Sequence, residues 1–128
     1  MYILPVEYQR IHQDIMNLDQ QIRLVTICDI SGKIIFSDHR SGVKNLLTPE
    51  ESKRSLEMAV NAWKERSKLS SKIGRGKYVL AEYEKIKRIT MPLGDDIHLL
   101  YITAELGADH DRIIQGVARI AGKILIKK

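Results

Sequence analysis

Residues 22–37 read Ile-Arg-Leu-Val-Thr-Ile-Cys-Asp-Ile-Ser-Gly-Lys-Ile-Ile-Phe-Ser. Two β-branched, apolar runs, Arg23–Cys28 and Lys33–Ser37, flank Asp29-Ile30-Ser31-Gly32. An Asp at the head of such a turn can accept local backbone amides, and a Gly at its end takes positive φ freely. The stretch predicts a β-hairpin, and the polar loop Asp38–Gly42 leads away from it. Upstream the period changes from two to between three and four. Tyr8, Ile11, Ile15, Leu18 and Ile22 recur at that step, which predicts an amphipathic helix from Val6 to about Gln21 with Pro5 in its first turn.

Downstream, Thr48-Pro49-Glu50-Glu51 marks a second helix start. Thr48 can cap, Pro49 fits the first helical position and Glu51 can close a capping box. The two glutamates suit the positive end of the helix dipole. Leu56, Ala59, Val60 and Trp63 supply the apolar stripe to about Lys68. A Gly74-Arg75-Gly76 break precedes three strands, Lys77–Tyr83, Lys85–Leu93 and Ile97–Ala104. Glu84 leaves room only for a tight turn, Gly94-Asp95-Asp96 forms another, and Pro92 belongs near a strand end. A last helix opens near Asp109, with Asp109 or Asp111 as its cap. Its apolar rows are Ile113, Val117, Ile120 and Ile124, then Ile114, Ala118, Ala121 and Leu125. Gly116 and Gly122 weaken that helix and are expected to permit close approach. Lys123, Lys127 and Lys128 fall near the negative end of its dipole.

The expected fold is therefore α+β, in the order α-β-β-α-β-β-β-α. A five-stranded antiparallel sheet carries helices on both faces, as a single domain over residues 1–128. That order, with the hairpin Ile22–Ser37, the helix from Thr48 and the meander Tyr78–Ala104 closing into the helix from Asp109, resembles the roadblock (dynein light chain) domain within the profilin-like architecture. The chain is also similar to small archaeal proteins with a Trp-Lys-x-Arg helix, here Trp63-Lys64-Glu65-Arg66, and a Lys-Arg-Ile-Thr strand, here Lys87–Thr90. The roadblock resemblance implies a non-enzymatic module that homodimerises, scaffolds complexes or regulates a small GTPase. It implies pairing through an edge strand, here Lys77–Tyr83, and the middle helix, with Leu56, Val60, Trp63, Tyr78 and Leu80 at the interface. The basic end of the middle helix departs from the family pattern.

Composition bounds the rest. The chain has 128 residues, 21 Lys and Arg, 16 Asp and Glu, and 44% hydrophobic residues, enough to fold one domain without disulfides or metal. One cysteine excludes a disulfide framework and a Cys-rich zinc site. The 5% aromatic content disfavours a stacking platform for nucleic acid. No apolar run reaches the roughly 18 residues of a membrane span, and Met1–Leu4 with Pro5 lack a secretory leader's pattern, so a cytoplasmic protein is expected. Cys28 in a β-branched strand reads as a small buried apolar residue, and Trp63 as a core or interface anchor.

The excess positive charge is local. Lys64, Arg66, Lys68, Lys72, Arg75, Lys77, Lys85, Lys87 and Arg88 face only Glu65, Glu82 and Glu84 within residues 64–88. Such a run can bind nucleic acid, another polyanion or an acidic partner, or simply blunt a sheet edge against aggregation. Lys72–Lys77 lacks phosphate-loop spacing. Asp109-His110-Asp111 reads as helix capping, and His12, His39 and His98 form no recognisable catalytic set. No catalytic residue, metal site or cofactor is expected. A small-ligand sensor, with ligand held between sheet and helix, is a further alternative.

Overall fold

The hairpin forms as β1 (Ile22–Asp29) and β2 (Ile34–His39). Asp29 Oδ1 accepts from the Ser31 and Lys33 amides at 2.9 and 3.0 Å and from Ser31 Oγ at 2.5 Å, and Gly32 has φ 93°. The Ser31 hydroxyl bond, with the Lys33 and Ser31 amides, outweighs a small burial penalty and holds the Asp29 carboxyl below its ordinary pKa. A β-bulge inserts Ile35 between the Cys28–Ile34 and Ile27–Phe36 pairs.

The computed structural model describes the backbone of residues 5–126 and the side chains of residues 7–124. Expectations for Met1–Leu4, Lys127, Lys128 and the Leu125 side chain lie outside the described residues. Helix α1 spans Pro5–Met16, ending sooner than its apolar spacing predicts. Arg40 donates to the carbonyls of Met16, Asp19 and Ile22, and Asp19 Oδ1 receives the Gln21 amide, so the chain turns into β1 there. Leu18 still packs inward, against Gly116, where an added Cβ would lie 2.5 Å from Leu18 Cδ2. The close approach expected at Gly116 is present. At Gly122 a Cβ meets no described atom within 4 Å, so that expectation fails.

Helix α2 (Pro49–Ser67) starts with the full capping box between Thr48 and Glu51. A one-turn helix that the apolar spacing does not announce, α3 (Ser70–Ile73), follows. Three strands, β3 (Val79–Glu82), β4 (Ile86–Pro92) and β5 (His98–Glu105), lead to α4 (His110–Ile126). The first of these strands is shorter than Lys77–Tyr83, because the preceding segment is held elsewhere. Arg75 pairs with Asp96 at 3.0 Å, and Gly76 lies under the Trp63 ring, where a Cβ would sit 3.3 Å away. Asp109, not Asp111, caps α4, accepting the Arg112 amide at 3.1 Å.

The antiparallel sheet has the order β2-β1-β5-β4-β3, placing the two halves side by side with β5 in the middle. Alternation gives its faces different contents. On one face Val25, Ile27, Leu100, Ile102, Ile89 and Met91 join Ile11 and Ile15 of α1 and Ile113 and Val117 of α4 in a core of sixteen buried residues. Ala118, placed with the second apolar row of α4, is instead exposed. On the other face α2 buries only Leu56 and Val60, over Cys28, Leu99 and Tyr101, with Leu24, Ala59 and Trp63 packed alongside.

Candidate assembly surface

Strand β3 pairs only with β4 and forms one edge of the sheet. Its hydrogen-bonding sense follows from the hairpin, where the Tyr83 amide donates to the Ile86 carbonyl at 2.8 Å. Antiparallel pairs alternate between bonded and non-bonded, so Ala81–Arg88 and Val79–Thr90 exchange bonds within the sheet. The amides and carbonyls of Leu80 and Glu82 therefore point outward. Exposed apolar groups stand at the ends of this edge and on the helices that precede it in the chain. Met58 on α2, Ile73 on α3, and Tyr78 and Tyr83 at the two ends of β3 are 66%, 80%, 46% and 50% exposed.

The five residues expected at the interface separate. Leu56 and Val60 are buried in the core beneath α2, and Trp63 is half-buried against Gly76. Tyr78 is exposed beside the edge. Leu80 pairs with Ile89 and packs into the core shared with α1 and α4, on the opposite face from α2.

The basic run also separates. Lys64, Arg66, Lys68, Lys72, Arg75, Lys77 and Lys85 are exposed. Lys68 pairs with Glu65 at 3.0 Å and Arg75 with Asp96. Lys87 is buried under α4, its ammonium donating to the Ala108 carbonyl at 2.8 Å and lying 3.2 Å from His110 Nδ1. Arg88 points to the α2 face, its guanidinium 5.2 and 5.1 Å from the Tyr83 and Tyr101 ring centroids. One strand thus sends adjacent bases to opposite sides of the sheet, and no single patch holds all nine.

A cavity of about 690 Å³ lies on the α2 face, between the sheet and the front of α2. The cross-strand row His39, Leu24, Thr103 and Arg88 forms its floor. Ser55 Oγ lies 3.0 Å from Tyr101 OH where helix meets sheet.

A buried polar chain closes the other face. Tyr8 OH lies 2.8 Å from His98 Nε2, and His98 Nδ1 lies 2.5 Å from Asp95 Oδ2. Asp95 Oδ1 also receives the Ile97 and His98 amides, each at 3.0 Å. Burial pushes the Asp95 carboxyl up in pKa, but its hydrogen bonds with the His98 ring and the two amides, and the nearby imidazole, outweigh that and hold it below the ordinary value. Sequence spacing missed this chain, since Asp95 reads as a turn residue and Tyr8 lies 90 positions from His98. Cys28 is fully buried, and burial, with the Asp29 charge second, pushes its thiol up to about 11, so it holds no thiolate near neutrality. Among the described residues no cluster of His, Cys, Asp and Glu could hold a metal ion, and no helix is long and apolar enough to cross a membrane.

No family model and no curated protein matches the sequence. Solved structures do match the fold. The roadblock/LC7 domain from Streptomyces avermitilis superposes with TM-score 0.70 at 11% identity, covering 91% of this chain and 93% of that one. The gliding protein MglB from Thermus thermophilus gives 0.69 at 14% identity, over 96% and 95% of the two chains. Myxococcus xanthus MglB gives 0.67 at 15% identity, over 100% and 98%. At these identities the likeness establishes the roadblock/LC7 fold, in agreement with the order of elements read from the sequence.

Proposed function

We propose that this chain is a non-catalytic regulatory module of roadblock type that forms a homodimer and acts on a small GTPase. The single observation that supports pairing is the β3 edge, with outward backbone groups at Leu80 and Glu82 and exposed Tyr78 and Tyr83 at its ends. An uncovered edge is a template for another strand. A second copy, related by a two-fold axis, presents the same edge in antiparallel sense and closes the assembly. Leu56 and Val60 act indirectly, by fixing α2 over β1 and β5, while Tyr78 and the outer side of Trp63 make direct contact. One solved MglB structure carries the description "tetrameric arrangement", so assembly of this fold is documented in a neighbour.

Light scattering at micromolar concentration tests the pairing, with twice the chain mass expected. Glu82→Pro removes one outward donor without touching a bond inside the sheet and should give a folded monomer. A wild-type monomer at that concentration would defeat the proposal. The Leu80 side chain is an unsuitable probe, because its replacement damages the core. The GTPase role is tested by nucleotide release and hydrolysis assays on small GTPases of the source organism. Rates that never respond to the protein would remove that part of the reading.

Seven exposed bases favour a polyanion as the second reading. Retention on a nucleic-acid column that falls steeply with salt, and that is lost on reversing Lys64, Arg66 and Lys68, would support it.

A further inference from the structure

We infer that the cavity between the front of α2 and the sheet is a binding site for a small monocarboxylate with an aliphatic body; it does not require the proposed dimer, although Tyr83, which holds Arg88, also borders the β3 edge. The argument starts from Arg88. Its guanidinium is always charged, yet among the described residues it makes no ion pair. Among the described residues the guanidinium makes one hydrogen bond, from Nη1 to Tyr83 OH at 3.2 Å, and Nε is shut off from solvent with no acceptor. The two tyrosine rings hold the cation in place but do not neutralise it. The enclosed Nε shows that the guanidinium is fixed in place by its surroundings, and its Nη groups, which meet no carboxylate among the described residues, are the donors left for an acceptor from outside.

The surroundings define that acceptor. Arg23, the other arginine lining the cavity, is already satisfied by Glu105 and the Lys44 carbonyl. Lys53 and Glu57, one helical turn apart on the exposed roof, offset each other. Asp38 also borders the cavity from the exposed β2 edge, but it pairs with core-facing Val25 and its Oδ1 accepts the His39 amide, so the cation left unpaired on the cavity floor is that of Arg88. Thr103, beside Arg88 in the cross-strand row, offers a hydroxyl for a second bond. A guanidinium fork matches a carboxylate's two oxygens.

Away from Arg88 the lining turns apolar, through Leu24, Ile34, Leu46 and Leu47. Ile34 and Leu46 are 51% and 56% exposed, which a bound aliphatic chain would cover. The volume falls in the range of small-molecule pockets. A second copy pairing at the β3 edge is not the expected occupant, since Arg88 lies one strand inward, beneath α2.

Octanoate is the probe, titrated into the full-length protein by calorimetry, with amide chemical shifts followed by NMR. A single site saturating below about 5 mM is expected, with shifts centred on Leu24, Thr103 and Arg88. Octan-1-ol, with the same tail and no charge, should bind at least about tenfold more weakly, and Arg88→Gln should weaken octanoate by a similar factor. Should Arg88→Gln fail to fold, Leu46→Glu on the exposed loop should also repel octanoate by about tenfold. Lys85→Gln, outside the cavity, should bind as the wild type does. Absent saturation, equal affinity for octanol, or shifts centred on the α1–α4 face would each overturn the inference. Binding unaffected by whichever of the two cavity variants folds would do the same.

Discussion

The two faces of the sheet are built to different standards. Toward α1 and α4 the strands present Val25, Ile27, Leu100, Ile102 and Ile89, all almost fully buried. Toward α2 the same strands present Thr26, Tyr101, Thr103, Thr90 and Arg88. One face is aliphatic and closed by two helices, while the other is half polar and closed by the rear of one helix. Aliphatic packing supplies stability per area buried, whereas hydroxyls and a cation hold geometry and recognise polar partners. Residues adjacent in one strand thus serve different ends.

Replacing Ile102 by Ala should be the most costly change, about 3–4 kcal/mol from lost burial and a cavity. Its neighbour Thr103→Val, toward α2, should cost less than about 1 kcal/mol. Urea titration of the pair reads the difference, and equal losses would break the contrast. Acid offers the next effect. The Asp95 carboxyl has a folded pKa below its unfolded value near 3.9, so its stabilisation is complete above that value and disappears as pH falls through the folded one. Asp95→Asn should cost about 2 kcal/mol at neutral pH and flatten the acid limb of a stability–pH curve. An unchanged limb would show that the Tyr8–His98–Asp95 chain does not bind α1 to the β4–β5 turn. Thr48→Ala should cost about 1 kcal/mol, seen as a lower midpoint with unchanged slope. Last comes the null effect. With its thiol near 11 and no exposure, Cys28 should resist iodoacetamide at pH 8 until the protein unfolds, and rapid native labelling would show that α2 lifts readily from the sheet.

Much of the fold was legible because local chemistry and global packing agree. Asp29 and Gly32 specify the hairpin within a few residues, and Thr48, Pro49 and Glu51 specify α2 in the same way. Agreement fails where distant groups decide. The end of α1 depends on Arg40, 24 positions beyond Met16, and apolar spacing carries no sign of it. Strand β3 begins late because Arg75 and Gly76 answer to Asp96 and Trp63. The candidate surface was less legible still. A run of bases over two strands and a loop leaves open whether they share a face, and strand alternation sends Lys87 and Arg88 to opposite sides. Leu80 lies in an edge strand, and its backbone faces outward while its side chain belongs to the core.

The shortness of β3 has a consequence for how such a protein would report its own abundance. Two outward residues per copy limit a shared ladder to about four new hydrogen bonds, each worth about 1 kcal/mol net. That sum is comparable to the lower estimates of the entropy lost when two bodies join. In the proposed dimer, backbone complementarity alone would leave the pair dissociating and re-forming as its level in solution changes, and side chains beside the ladder, Tyr78 and Trp63 among them, would have to make the association persistent.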